Sequence, residues 1–246
     1  MRATATAVVR MDPPIVPPSS GIARDTSSTA RGTLPKVSRV LAVCAHPDDE
    51  SFGFGAILAS FAQQGATVRV LCLTHGEAST LGATARPLAE VRADELRAAA
   101  DVLGVSGVTL LAHADGHLED VALKTLARSI EDSLAGAEVL LVFDIGGITG
   151  HADHCRATDA ALVAARRRRL PVLAWTLPER VAAQLNSEFG TAFVGREDAE
   201  LSIIVDVDRA RQLAAIACHA TQSVDNPVLW RRLELLGTGE SLRWLA

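Results

Sequence analysis

From residue 38 onward the chain alternates short apolar runs with longer stretches of helical spacing, and few folds accommodate that alternation. Strands that each lead into a helix are parallel to their neighbours, because only a crossover of a dozen or more residues returns the chain to the same end of a sheet. Strand candidates are Val40 to Cys44, Thr67 to Leu73, Val108 to Leu111, Val139 to Phe143, Pro171 to Trp175 and Leu201 to Val205. Helix candidates are 51–64, 87–103, 119–135, 153–168, 207–221 and 228–236, from apolar spacing and Ala, Leu, Glu and Arg content. Gly65, Gly104 and Gly136 each follow a helix where a left-handed cap fits. The expectation is one α/β domain, Rossmann-like and three-layered, with a mainly parallel sheet over residues 38–246.

Residues 1–37 are rich in Pro, Ser, Thr and Ala and carry no periodic apolar surface, so they read as a disordered extension. Pro13, Pro14, Pro17 and Pro18 interrupt its only mildly apolar stretch, which argues against a secretory segment. No apolar run reaches the ~18 residues that a membrane span needs. With 24 Lys and Arg against 29 Asp and Glu, the net charge near −5 disfavours nucleic acid as a partner. Cys44, Cys72, Cys155 and Cys218 form no CxxC pair and read as free thiols in a reducing cytoplasm. The run Arg166 to Arg169 closes a helix, where cations suit the macrodipole and solvent.

Two polar clusters fall where ligands collect in parallel sheets, beyond the carboxyl ends of strands. AHPDDE, residues 45 to 50, follows the first strand, and DIGGITGHADHC, residues 144 to 155, follows the fourth. Either alone suits a helix start, since Asp caps orphan amides and acids complement the dipole. Capping needs alone do not account for two His/Asp clusters at equivalent positions. Zinc takes nitrogen and oxygen donors, and a catalytic site uses three of them and leaves a place for water. One His and one Asp from the first loop with one His from the second meet that count, and the remaining acid and imidazole are available for proton transfer.

AHPDDE and the later GHADH resemble the two signature motifs of the PIG-L/LmbE family of zinc-dependent N-deacetylases. LTHGEAS at 73–79, Arg92 and Glu95 ahead of Leu103 and Gly104, and His219 to Gln222 extend the likeness across about 38 to 222. The resemblance implies zinc, or another divalent ion such as iron, on His46, Asp49 and His154. It implies Asp48 as general base, His151 as general acid and Asp153 as the residue that orients His151. Arg92 and Asp115 match positions that contact substrate hydroxyl or phosphate groups. Thr149 stands where members acting on mycothiol precursors carry a Tyr, and this chain has none. The implied activity is removal of an acyl group, acetyl above all, from the nitrogen of a small N-acylated amino sugar.

Three other readings compete. A catalytically inactive sugar-binding module on the same fold would not need both Asp48 and His151, and an amidase acting on a thiol–sugar conjugate would use the same groups. A nucleotide binder would want GxGxxG after the first strand, where this chain has carboxylates that repel a pyrophosphate.

Overall fold

The computed structural model describes residues 32–246. Its strands are β1 (Arg39–Cys44), β2 (Thr67–Thr74), β3 (Gly107–His113), β4 (Val139–Phe143), β5 (Val172–Pro178), β6 (Gly195–Arg196), β7 (Ile203–Asp206) and β8 (Gly239–Trp244). Its helices are α1 (Asp49–Phe52), α2 (Gly55–Gln63), α3 (Leu88–Leu103), α4 (Leu123–Ser133), α5 (Gly147–Gly150), α6 (Ala152–Arg168), α7 (Glu179–Phe189), α8 (Ala210–Cys218), α9 (Ala220–Ser223) and α10 (Pro227–Leu236).

The strands lie in the order β3-β2-β1-β4-β5-β8-β7, with β6 beside β5. β1 to β5 are mutually parallel, while β8 runs antiparallel to both β5 and β7. Alternation along each strand divides the core. Val40, Ala42 and Cys44 join Ile57, Phe61, Leu96 and Leu185 on one face. Leu41 and Val43 join Leu126, Ile130, Ala160 and Ala164 on the other. The alanines of α6 let that helix lie close to the sheet. The three-layer, mainly parallel domain expected from the sequence is the one observed.

The six strand candidates correspond to β1–β5 and β7 within a few residues. The helix expected over 119–135 is a 3-10 turn at Leu118–Asp120 followed, after an extended Val121, by α4, and two other helices are broken where the sequence suggested continuity. The segment 51–64 divides at Gly53, which the Phe143 ring approaches so closely that a Cβ there would lie 2.3 Å from it. The segment 207–221 divides at His219, whose backbone leaves the helical region as its ring turns to Glu50. Gly104 caps α3 in the left-handed region, as expected. Helix α7 and strand β8 were not anticipated. The signal for α7 was Gly190, a left-handed cap; β8 reads GESLRW, too polar and too short of β-branched residues to stand out.

Residues 32–37, placed above in the extension, pack against the domain: Leu34 is buried and the Gly32 amide donates to Ile204 O. The rest of that assignment, 1–31, lies outside the described residues. Arg167 and Arg168, both about half exposed, pair with Glu131, in keeping with a solvated helix end. No helix among the described residues is long and apolar enough to cross a membrane. All four cysteines are free thiols.

Candidate metal centre and catalytic site

Between β1 and β4 the order of the sheet reverses, because β1 continues to β2 on one side while β4 packs on the other. The loops leaving these two strands diverge and open a crevice at their carboxyl ends. A cavity of about 440 Å³ occupies it, lined among others by His46, Asp48, Asp49, Thr149, His151 and His154.

The first loop is closed by its own side chains. Asp49 accepts hydrogen bonds through Oδ2 from the Ala45 and His46 amides, at 2.9 and 3.0 Å. Asp48 stands at the start of α1 with φ 122°, a left-handed conformation that is strained for any residue but glycine. The second loop opens α6. His151 is its N-cap, and its Nδ1 accepts from the Asp153 amide at 3.2 Å. That contact leaves Nε2 as the protonated nitrogen of a neutral ring.

His46 Nδ1 and His154 Nε2 face one another at 3.2 Å, and Asp49 Oδ1 lies 3.1 Å from the latter. The far nitrogen of each ring is tied off. His46 Nε2–H donates to Asp153 Oδ2 at 3.2 Å and lies 3.0 Å from Asp115 Oδ1; His154 Nδ1–H donates to Gly147 O at 3.2 Å. Neutral rings held in this way would point lone pairs at each other beside a carboxylate, an arrangement that a proton or a metal cation completes. Carboxylates behind the ring and a second imidazole opposite are the surroundings of a metal-ligating histidine. His46, Asp49 and His154 therefore form a donor set that fits a divalent metal ion. A second cluster, His46, His151 and Asp153, also lies close together. Its Asp153 is already engaged by the Gly116 and Leu118 amides at 2.8 and 3.0 Å, and its His151 is exposed.

The carboxylates around the two rings draw positive charge to this point, as a proton or as a metal ion. Burial opposes charging of His46, but Asp115 and Asp153 outweigh it and push the ring up to about 10. For His154 burial is likewise outweighed, by Asp49, and the ring is raised. Burial would raise Asp49, yet the two imidazoles hold it well below the usual carboxylate range. Asp48 differs: burial, opposed by Arg92 and aided by Asp49, raises it to about 6. His151 is lowered, by burial first and then by His154 and His46.

Other expected residues fall in less expected places. The resemblance implies that Asp153 orients His151, but only its backbone amide reaches that ring; its carboxylate faces His46. Arg92 is buried and donates through Nη2 to Asp48 Oδ2 at 2.9 Å and to Pro47 O, and through Nη1 to Gly76 O. It braces the first loop. Asp115 touches His46 and accepts from the Ala78 amide at 2.8 Å. Thr149 is exposed at the cavity wall. His219 is fully buried and donates through Nε2 to Glu50 Oε1 at 2.6 Å, supporting α1 from below. Phe143, Trp175, Phe193 and Arg232, also in the wall, went unremarked in the sequence because apolar strand ends and a late helix carry no polar motif.

Comparison with known proteins places these features in context. The family model described as PIG-L: GlcNAc-PI de-N-acetylase matches residues 41–165, which include both loops. A 1D-myo-inositol 2-acetamido-2-deoxy-alpha-D-glucopyranoside deacetylase from Nakamurella multipartita is 31% identical over 241 residues, covering 75% of this chain and 80% of that protein. The protein of the same name from Kineococcus radiotolerans is 34% identical over 165 residues, which span 52% of this chain and only 45% of its own length. Among solved structures, the A40926 pseudoaglycone deacetylase Dbv21 superposes with a TM-score of 0.64 at 25% identity, covering 84% of this chain and 96% of that one.

Proposed function

This chain belongs to the PIG-L family, and from that premise we propose that it is a metal-dependent hydrolase which removes an acyl group, acetyl in the simplest case, from the nitrogen of a small N-acylated amino sugar. The observation that carries the reading is the pair of opposed imidazole nitrogens, each tied off behind, converging on Asp49.

His46, Asp49 and His154 would hold the ion. Zinc suits two imidazoles and a carboxylate, and ferrous iron takes the same donors. When bound, such an ion supplies Lewis acidity, polarising an acyl carbonyl and lowering the pKa of water toward about 7. Asp48, held by Arg92 beside these residues, takes the proton of the attacking water. His151 presents Nε2–H, which donates to the oxygen that gains negative charge, and the proton that Asp48 has taken from water is the one returned to the departing amine. Asp153 and Asp115 fix the direction of His46, and Gly147 O fixes that of His154. Thr149 stands at the mouth, where a substrate hydroxyl can reach it. The four free thiols are in keeping with a cytoplasmic setting.

The test is elemental analysis of the purified chain beside an amine-release assay on N-acetylglucosamine and its inositol-linked derivative. One divalent ion per chain is expected, with activity lost to a chelator and restored by the ion. Full turnover by metal-free protein would overturn the proposal.

A further inference from the structure

The cavity has two unlike halves. On the side of β2 and β3 its wall is polar, with Ser79, Asp115, Gln222 and Asn226. On the side of β4 and β5 it is apolar, built from Phe143, Ile148, Trp175, Phe193 and Val228, and into this wall α10 sends one cation, Arg232.

Arg232 is placed differently from Arg92. Arg92 has a carboxylate partner in Asp48. Arg232 has none among the described residues: Nη2 donates to Phe52 O at 2.7 Å, and the guanidinium carbon lies 5.3 Å from the centre of the Trp175 ring. Its Nε is buried without any partner. Glu240, the buried acid of the neighbouring strand β8, is committed elsewhere, accepting from Trp175 Nε1 at 2.7 Å and pairing with Arg209 at 2.5 Å. A guanidinium sunk against an aromatic ring with no carboxylate in contact is costly to keep charged: burial, opposed by the more distant Glu240, Asp48 and Asp49 and aided by Arg209, lowers Arg232 to about 10. It stays a cation at neutral pH. An anionic ligand group would restore what burial removes, and the planar fork of Arg suits a carboxylate or phosphate.

We infer that the β4–β5 half of the cavity receives a substrate arm ending in an anionic group, carboxylate or phosphate, on a short apolar segment, and that Arg232 selects substrates by that group. The inference rests on the deacylase reading for the word substrate, but not for the binding itself. The arm is either the acyl chain or a substituent on the sugar.

The test measures binding, so that it does not depend on turnover. In an Asp48→Asn background, calorimetry compares N-succinylglucosamine with its methyl ester, and a 3-carboxypropyl glycoside of N-acetylglucosamine with its methyl ester. The acid of one pair is expected to bind about tenfold more tightly than its ester, the order of one charge-assisted hydrogen bond. The pair that shows the preference identifies the arm. Adding Arg232→Met, which keeps the side chain's apolar length over Trp175, should bring acid and ester within about twofold. Arg232→Lys keeps the charge but loses the fork, and serves as the second variant should the methionine protein not fold; it should reduce the preference several-fold. Equal binding of acid and ester in both pairs overturns the inference. So does a preference that survives substitution of Arg232 in protein whose melting temperature shows it folded. If the Arg232-dependent preference is present but the unmutated chain releases no amine from any of the four compounds, the deacylase reading fails while this inference stands.

Discussion

The loop after β1 brings one imidazole and two carboxylates to the cavity and the loop after β4 brings two imidazoles, and the two loops hold them by different means. The first is closed by local side chains: Asp49 clamps two amides of its own turn, and Glu50 accepts from the Asp48 amide at 2.9 Å. The second is shaped by backbone. Gly146, Gly147, Ile148 and Gly150 all have positive φ, and the loop is anchored from elsewhere by the Val194 amide on Ile148 O and by the amides of Gly116 and Leu118 on Asp153. A site assembled from one loop closed by its own carboxylates and braced by Arg92 and His219, and one loop shaped by backbone, should fail in two ways. Polar substitutions in the first should change chemistry or metal content; backbone and long-range substitutions affecting the second should misplace a ligand that is itself intact.

The sharpest contrast lies between neighbours in the first loop. Asp48→Asn should keep its metal and lose kcat by roughly 10²–10⁴-fold, with no rescue by added zinc. Asp49→Asn should lose the metal as well, and recover part of its activity in excess zinc. Elemental analysis beside turnover separates them; a metal-free Asp48→Asn with a fully active Asp49→Asn would reverse the assignment.

For the second loop the expected effects are smaller. Asp153→Asn leaves every proposed ligand in place but weakens the acceptor behind His46, so metal affinity should fall by about 10–100-fold in competition with a chromogenic chelator. An unchanged affinity would mean that Asp115 alone orients the ring. Smaller again is a pair of glycine substitutions. In Gly147→Ala the new Cβ would lie 2.9 Å from Cys155 Sγ and 3.0 Å from His154 Cβ, in a residue already at φ 67°. A loss of about 1–3 kcal/mol in urea unfolding is expected, together with weaker metal binding. Gly150→Ala meets open space, so only the strain of positive φ remains, about 1 kcal/mol, with metal binding unaltered. Equal losses in the two variants would remove the distinction between a crowded and a merely strained position.

The same contrast explains how much of the site could be read in advance. His46, Asp48 and Asp49 lie within four residues, so their convergence is a property of one short turn. His151 and His154 are legible for a similar reason, lying within one helical turn at the start of α6. The partner of Asp153 was not. The resemblance implied His151, whereas the carboxylate faces His46, held there by the Gly116 amide on Oδ2 and the Leu118 amide on Oδ1, which the segment after β3 delivers. Arg92 is similar: its place in α3 was visible, but not that Asp48, Pro47 and Gly76 would occupy its donors.

By itself, the sequence determined the layers, the parallel β1–β5 core and the two polar loops, because apolar period and short-range polar spacing are local quantities. Only the tertiary structure decided that β8 would return antiparallel between β5 and β7, and that Glu240 would be consumed by Trp175 and Arg209. It alone left Arg232 facing the cavity without an acid. Whether a charge is paired depends on what distant segments bring beside it, and ion pairing, unlike amphipathic period, has no characteristic spacing along a chain.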